Sequence, residues 1–144
     1  MTRILISGSR TWRNAWAVHE AIANYLRTVG KWDEENGMPS GDVVIVHGAC
    51  PKGADRIADE WAINACLAPE RHPAQWRLKG RSAGHLRNAD MVKAGADVHL
   101  SFVNSCTSET CRLPRPHDSH GAAGCIALSE RAGIPTRVTR EYAR

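Results

Sequence analysis

The chain has 144 residues, 42% hydrophobic and 24% charged, which is enough for one domain to bury its own core and too few for a second full domain. Five cysteines without framework spacing fit reduced thiols better than a disulfide scaffold, and Cys50 and Cys66 read as packing residues. A net charge of +4, spread along the chain, suits an anionic ligand and leaves nucleic acid open. No apolar run approaches the roughly 20 residues of a membrane span, and Ile4-Leu5-Ile6 is too short for the core of a signal peptide. A soluble, cytoplasmic protein with a single domain over residues 1–144 is therefore expected.

In chain order, residues 3–7 predict a buried strand that stops at Gly8-Ser9-Arg10. Over residues 14–29, Ala15, Val18, Ile22, Leu26 and Val29 recur every three or four positions and predict a helix ending near Gly30. Residues 31–41 are polar, with Gly37, Pro39 and Gly41, and read as a surface connection without structural content. Val43-Val44-Ile45-Val46 is β-branched throughout and predicts a strand covered on both faces. It runs into His47-Gly48-Ala49-Cys50-Pro51-Lys52-Gly53-Ala54-Asp55 and then a helix with Ile57, Trp61, Ala62 and Ala65 on one side. Residues 70–76 form a weak strand that Pro73 confines to an edge. Residues 80–94 predict a third helix with Leu86, Ala89 and Val92 inward, and residues 96–103 alternate as a fourth strand. A long polar loop at 104–120, with Pro114 and Pro116, is a candidate lid or partner surface. A helix at 121–132 and a strand ending near Thr139 close the chain. The alternation predicts an α/β, Rossmann-like domain: about five parallel strands in the order 3-2-1-4-5, with helices on both faces.

In such a sheet the ligand sits beyond the carboxyl ends of the strands. The candidate binding residues are therefore Gly8, Ser9 and Arg10 after the first strand and His47, Gly48, Gly53 and Asp55 after the second. Gly84, Arg87 and Asn88 open the third helix, and Gly121 opens the last one. Glycines admit phosphate oxygens to the backbone, and the free N–H groups of the next helix add donors and a positive dipole end. Gly8 also reads as a plain strand-to-helix turn. Asp55 also reads as the N-cap of the second helix, a role worth about 1 kcal/mol, and the arginines also read as a solvated basic face. Neither a Walker A pattern nor GxGxxG is present.

Taken together, these segments resemble the SLOG superfamily of Rossmann-like proteins, in particular its small stand-alone branch of bacterial and phage proteins. The resemblance rests on Gly8-Ser9-Arg10 with Trp12, on His47-Gly48 through Gly53-Ala54-Asp55-Arg56, and on Trp61-Ala62. It continues through His72-Pro73 with Trp76, Ala83-Gly84 with Arg87-Asn88 and Met91, and Ala132-Gly133-Ile134-Pro135, so that it covers nearly the whole chain. It implies a nucleotide-binding fold shared with the cytokinin-activating phosphoribohydrolases and the DNA-processing Smf proteins, and it favours a homodimer. Arg87-Asn88-Ala89-Asp90-Met91 resembles the Arg-Lys-x-x-Met element of the phosphoribohydrolases, whose arginine belongs to the active site. Their Pro-Gly-Gly-x-Gly-Thr-x-x-Glu loop corresponds here to Asp118-Ser119-His120-Gly121-Ala122-Ala123-Gly124-Cys125, and no acid follows until Glu130. The small branch usually has Asp where this chain has Gln75. The phosphate-cradling part of the site is thus retained without the hydrolytic glutamate.

Cys106, Cys111, His117 and His120 share one loop. Their Cys-x4-Cys-x5-His-x2-His spacing lacks the close cysteine pair of a structural zinc module, so no metal is assigned and the loop reads as flexible with reduced thiols. Zn²⁺ is the favoured ion if these four ligate one. His120 is alternatively a phosphate contact or a proton donor.

Three functions compete. The first is a sensor or sequestering protein for a nucleotide-derived small molecule such as an ADP-ribose relative, with no cofactor assigned. The second is an N-glycosidic or phosphoribosyl hydrolase in which the catalytic candidates are Arg87 on the phosphate side and Asp55 or His120 in place of the glutamate. The third is an Smf-like module for single-stranded DNA using Arg137, Arg140 and Arg144. Aromatic residues are only 6% of the chain, which leaves little for a base-stacking platform. Trp12, Trp61 and Trp76 read as core or pocket walls.

Overall fold

A computed structural model describes residues 1–143; Arg144, one of the arginines considered for nucleic-acid contact, lies outside the described residues. The strands are β1 (Thr2–Gly8), β2 (Trp32–Asp33), β3 (Met38–Pro39), β4 (Val43–His47), β5 (Glu70–Arg71), β6 (Val98–Val103) and β7 (Thr136–Arg140). The helices are α1 (Ala15–Thr28), α2 (Gly53–Asn64), α3 (Trp76–Lys79), α4 (Ala83–Ala94) and α5 (His120–Arg131). Five strands form one sheet in the order β5-β4-β1-β6-β7, all parallel. This is the predicted order, with β1 at the centre and the strand order reversing beside it.

Strand alternation sorts the core. Ile4, Ile6, Val98, Leu100 and Phe102 join Val18, Ile22 and Leu26 of α1 and Ala54, Ala58 and Ala62 of α2 in one cluster. Leu5 and Val46 point to the other face and join Met91 and Val92 of α4 and Cys125 of α5. Each fully buried aliphatic side chain contributes about 2 kcal/mol, so this layering dominates the stability. The second face also carries a polar layer. Ser7 Oγ lies 2.6 Å from His99 Nε2 and 2.9 Å from Ser101 Oγ, and all three residues are buried. The predicted alternation of β6 is therefore real, but both of its faces are covered, as parallel packing between helices requires.

Several expectations are corrected. The connection at 31–41 folds into a hairpin, with Trp32 opposite Pro39. Its turn is closed by the Asp33 carboxylate, which accepts from the amides of Glu35 and Asn36, and Arg27 lies over the Trp32 ring. Val29 follows the last turn of α1 and is exposed, while Tyr25 is buried instead. The alanine stripe of α2 faces the sheet, with Ile57 and Trp61 beside it. The segment before α4 is a separate short α3 and a 3-10 turn at Gly80–Ser82. Leu86 points outward, and α4 buries Ala83, Asn88, Met91 and Val92. Cys66 does not pack: it is exposed, in the left-handed region at φ 61°. The edge strand β5 is only two residues long, and Arg3 holds it by a two-pronged pair with Glu70 at 2.9 and 2.8 Å. With His72 also at 2.8 Å, these hydrogen bonds bring the Glu70 carboxyl down to about 2.

Candidate functional site

The loops that follow β1, β4 and β6 meet at the carboxyl edge of the sheet. Close backbone approach explains their glycines. A Cβ on Gly8 would lie 2.4 Å from the Phe102 carbonyl oxygen and 2.6 Å from Ala54 Cβ, so β1 can pass between β6 and α2 only without a side chain. Gly53, at φ +74°, would place a Cβ 2.2 Å from the Ser9 carbonyl oxygen. The two candidate loops are thus interlocked, and the start of α2 lies directly against Ser9 and Arg10.

Ser9 is a connector. Its Oγ lies 2.5 Å from Ser119 Oγ at the N-cap of α5 and accepts the Asn104 amide at 2.8 Å. This draws the start of α5, including Gly121, to the same edge. Neither the N-cap of α2, Lys52, nor that of α5, Ser119, makes a side-chain cap bond, so these helix ends present amides that no capping side chain takes. The reading of Asp55 as N-cap is corrected here, since it sits inside the first turn and turns back to accept the Cys50 amide at 3.3 Å. Burial pushes its carboxyl pKa up, against the opposing influence of His47, Arg87 and the loop amides.

His47 is buried and accepts the Ala49 amide on Nδ1 at 2.9 Å, so Nε2 carries the proton and donates to Asp59 at 2.7 Å. Asp59 also takes a two-pronged pair from Arg71 at 2.7 and 3.1 Å, and the Arg71 and His47 hydrogen bonds hold its carboxyl below the usual range. Arg87 reaches across from α4: Nη1 donates to the Gly48 carbonyl and, at 3.4 Å, to that of His72, while Nε donates to Asn88 Oδ1 at 2.7 Å. Gly48 has no room for a side chain beneath that guanidinium. Arg87 and Asn88 therefore brace the β4 loop, with Nη2 outside these bonds. Gly84 lies under Trp76, and the exposed Arg10 guanidinium lies 5.9 Å from the centre of that ring.

Two adjoining cavities flank this edge. One, of about 250 Å³, is lined by Arg71, His72, Pro73, Gln75 and Arg87 among others. The other, of about 320 Å³, is lined by His47, Ala49, Cys50, Arg56, Asp59 and Arg71. Sequence reasoning missed Asp59 and Arg71, whose pairing depends on β5 lying beside β4. The position of Asp59, four residues after Asp55 on the same helix, was the available signal.

His120 stands at the first turn of α5, but its ring turns to Cys106 and Cys111. Of the arginines considered for nucleic acid, Arg140 pairs with Asp118 at 2.8 and 2.7 Å, whereas Arg137 is exposed and lies over the Tyr25 ring.

The topology, the reversal of strand order beside β1 and the loops gathered at that edge define a Rossmann-like α/β protein. Within that class, the chain belongs to the YspA, cpYpsA-related SLOG family, whose model matches residues 2–78. It is also 40% identical over 140 residues to the Gene 61 protein of Mycobacterium phage D29, covering 94% of each chain. No solved structure matches. Among the described residues no helix is long and apolar enough to cross a membrane.

Proposed function

We propose that this protein binds a nucleotide-derived small molecule, such as an ADP-ribose relative, at the carboxyl edge of β1 and β4 and acts as a sensor or sequestering protein. The observation that carries this reading is the interlock of Gly53 with Ser9, which brings the uncapped start of α2 against Arg10. The start of α5 is tied to the same loop through Ser9 and Ser119, and positive helix ends close to an arginine suit an anionic group. The cavity beside Arg87 gives the remainder of such a ligand a place to lie.

Binding is favoured over hydrolysis because the first turn of α5 carries no acid. A hydrolase would have to use Asp55, whose raised pKa supports that second reading, although its carboxylate is already occupied by the Cys50 amide. The test is a thermal-shift screen against mononucleotides, cyclic nucleotides, dinucleotides and ADP-ribose. One of these should raise the wild-type melting temperature. Arg10→Ala, which leaves the scaffold bonds intact, should weaken that binding about ten- to a hundredfold through loss of a charge-assisted contact. Unaltered nucleotide after incubation supports a binder, and release of free base supports the hydrolase. If no nucleotide shifts the protein while single-stranded DNA does, the reading fails.

A further inference from the structure

The loop between β6 and α5 brings together four side chains with no part in the site above. One ligand atom each from Cys106, Cys111, His117 and His120 lies within 4.8 Å of all the others. Cys111 Sγ is 3.5 Å from His117 Nε2 and 3.4 Å from His120 Nε2, and Cys106 Sγ is 3.7 Å from His120 Nε2. Around a tetrahedral zinc ion, bonds of about 2.3 Å to sulfur and about 2.0 Å to nitrogen put neighbouring S and N atoms about 3.5 Å apart. The observed separations bracket that value.

The surroundings are those of a prepared ligand set. His117 Nδ1 is 2.8 Å from the Pro114 carbonyl oxygen, so Nδ1 carries the proton and the Nε2 lone pair faces the thiols. The Ser108 amide donates to Cys106 Sγ at 3.4 Å, a contact that favours the thiolate. The ends of the loop are pinned by the Ser105–Asp118 bridge and by the Cys106 amide donating to the His117 carbonyl at 2.7 Å. Thiols are weak donors, and hydrogen bonding alone gives little reason for two of them to converge on two imidazoles.

We propose that Cys106, Cys111, His117 and His120 bind one Zn²⁺ ion in a closed, tetrahedral, structural site. Two thiolates balance the charge of the ion, and soft sulfur with imidazole selects zinc over magnesium or calcium. Four protein ligands leave no open position for substrate or water, so the ion orders residues 104–120 and anchors the first residue of α5. The sequence shows these four ligands in one loop but understates the site, because they come from a folded-back loop and a helix start, without the close cysteine pair of a zinc knuckle.

The test uses the full chain, purified without chelator and analysed for metal. The expected result is one zinc per chain in the wild type and in Cys66→Ser, a control at the exposed cysteine outside the cluster, with loss in Cys111→Ser and in His117→Gln. Because those variants can fail to fold, wild type stripped with a chelator and reloaded with Co²⁺ provides a second readout. Tetrahedral cobalt absorption with thiolate charge transfer is expected, together with amide exchange over residues 105–119 at least about tenfold slower than in the stripped protein. The proposal is overturned if zinc-reconstituted wild type keeps less than about a tenth of an equivalent after desalting. It is equally overturned if cobalt binds six-coordinate, or if protein kept under reductant carries a Cys106–Cys111 disulfide.

Discussion

Gly53→Ala is expected to lower the stability of this protein by about 2 to 5 kcal/mol. Two costs combine. The residue sits at φ +74°, where a side chain costs about 1 to 2 kcal/mol. Its Cβ would also meet the Ser9 carbonyl oxygen at 2.2 Å and Arg10 Cα at 2.8 Å. Both are backbone atoms, so no rotamer change relieves the contact, and parting the loops adds about 1 to 3 kcal/mol more. Urea denaturation of wild type and variant measures the difference, and a loss below about 1 kcal/mol would show that the loops are not interlocked. Gly121→Ala is a useful contrast, since a Cβ there meets nothing within 4 Å and no strained φ applies.

The second large effect is a dependence on pH centred on His99. Burial alone lowers its pKa from 6.5 to about 4. Nδ1 has no partner, and Nε2 meets only the hydroxyl of Ser7. The sign follows from the depressed folded-state value: the unfolded chain takes up a proton first, so stability is full above 6.5 and falls as the pH drops toward 4. At about 1.4 kcal/mol per unit, the loss between about pH 7 and pH 4.5 is about 2 to 3 kcal/mol. Glu70 acts in a lower window, between its ordinary 4.5 and about 2, and so leaves the histidine range clear. His99→Gln keeps a hydrogen-bonding group beside Ser7 but cannot titrate. Wild type should lose more stability than this variant over that interval, and parallel pH profiles for the two proteins would contradict the assignment.

The sheet was readable from the sequence because β1 and β4 are apolar or β-branched runs stopped by glycine or a polar turn, and β6 alternates apolar and polar residues. β4 and β1 are the clearest cases, and the two-residue β5 was rightly placed at an edge because Pro73 follows it. The inward face of α4 was misread for a physical reason. Its apolar residues do not form a single stripe, and Asn88 is buried through its bond to Arg87 while Leu86 faces outward. Spacing also pointed to the glycines at the sheet edge, but could not show that Gly48 is shaped by Arg87 and Gly8 by Phe102, contacts between residues far apart in the chain. The same limit hid the tie between Asp59, His47 and Arg71. Such groups become neighbours only once the sheet order is set.

The most direct test of nucleotide binding at this edge is amide chemical-shift mapping of isotope-labelled protein titrated with ADP-ribose. Saturable shifts should concentrate at Gly8, Ser9 and Arg10, through the loop from Gly48 to Asp55, and at the start of α5 near Gly121. Shifts confined to β7 around Arg137 and Arg140, or none at all with any nucleotide in the thermal-shift panel, would contradict the account.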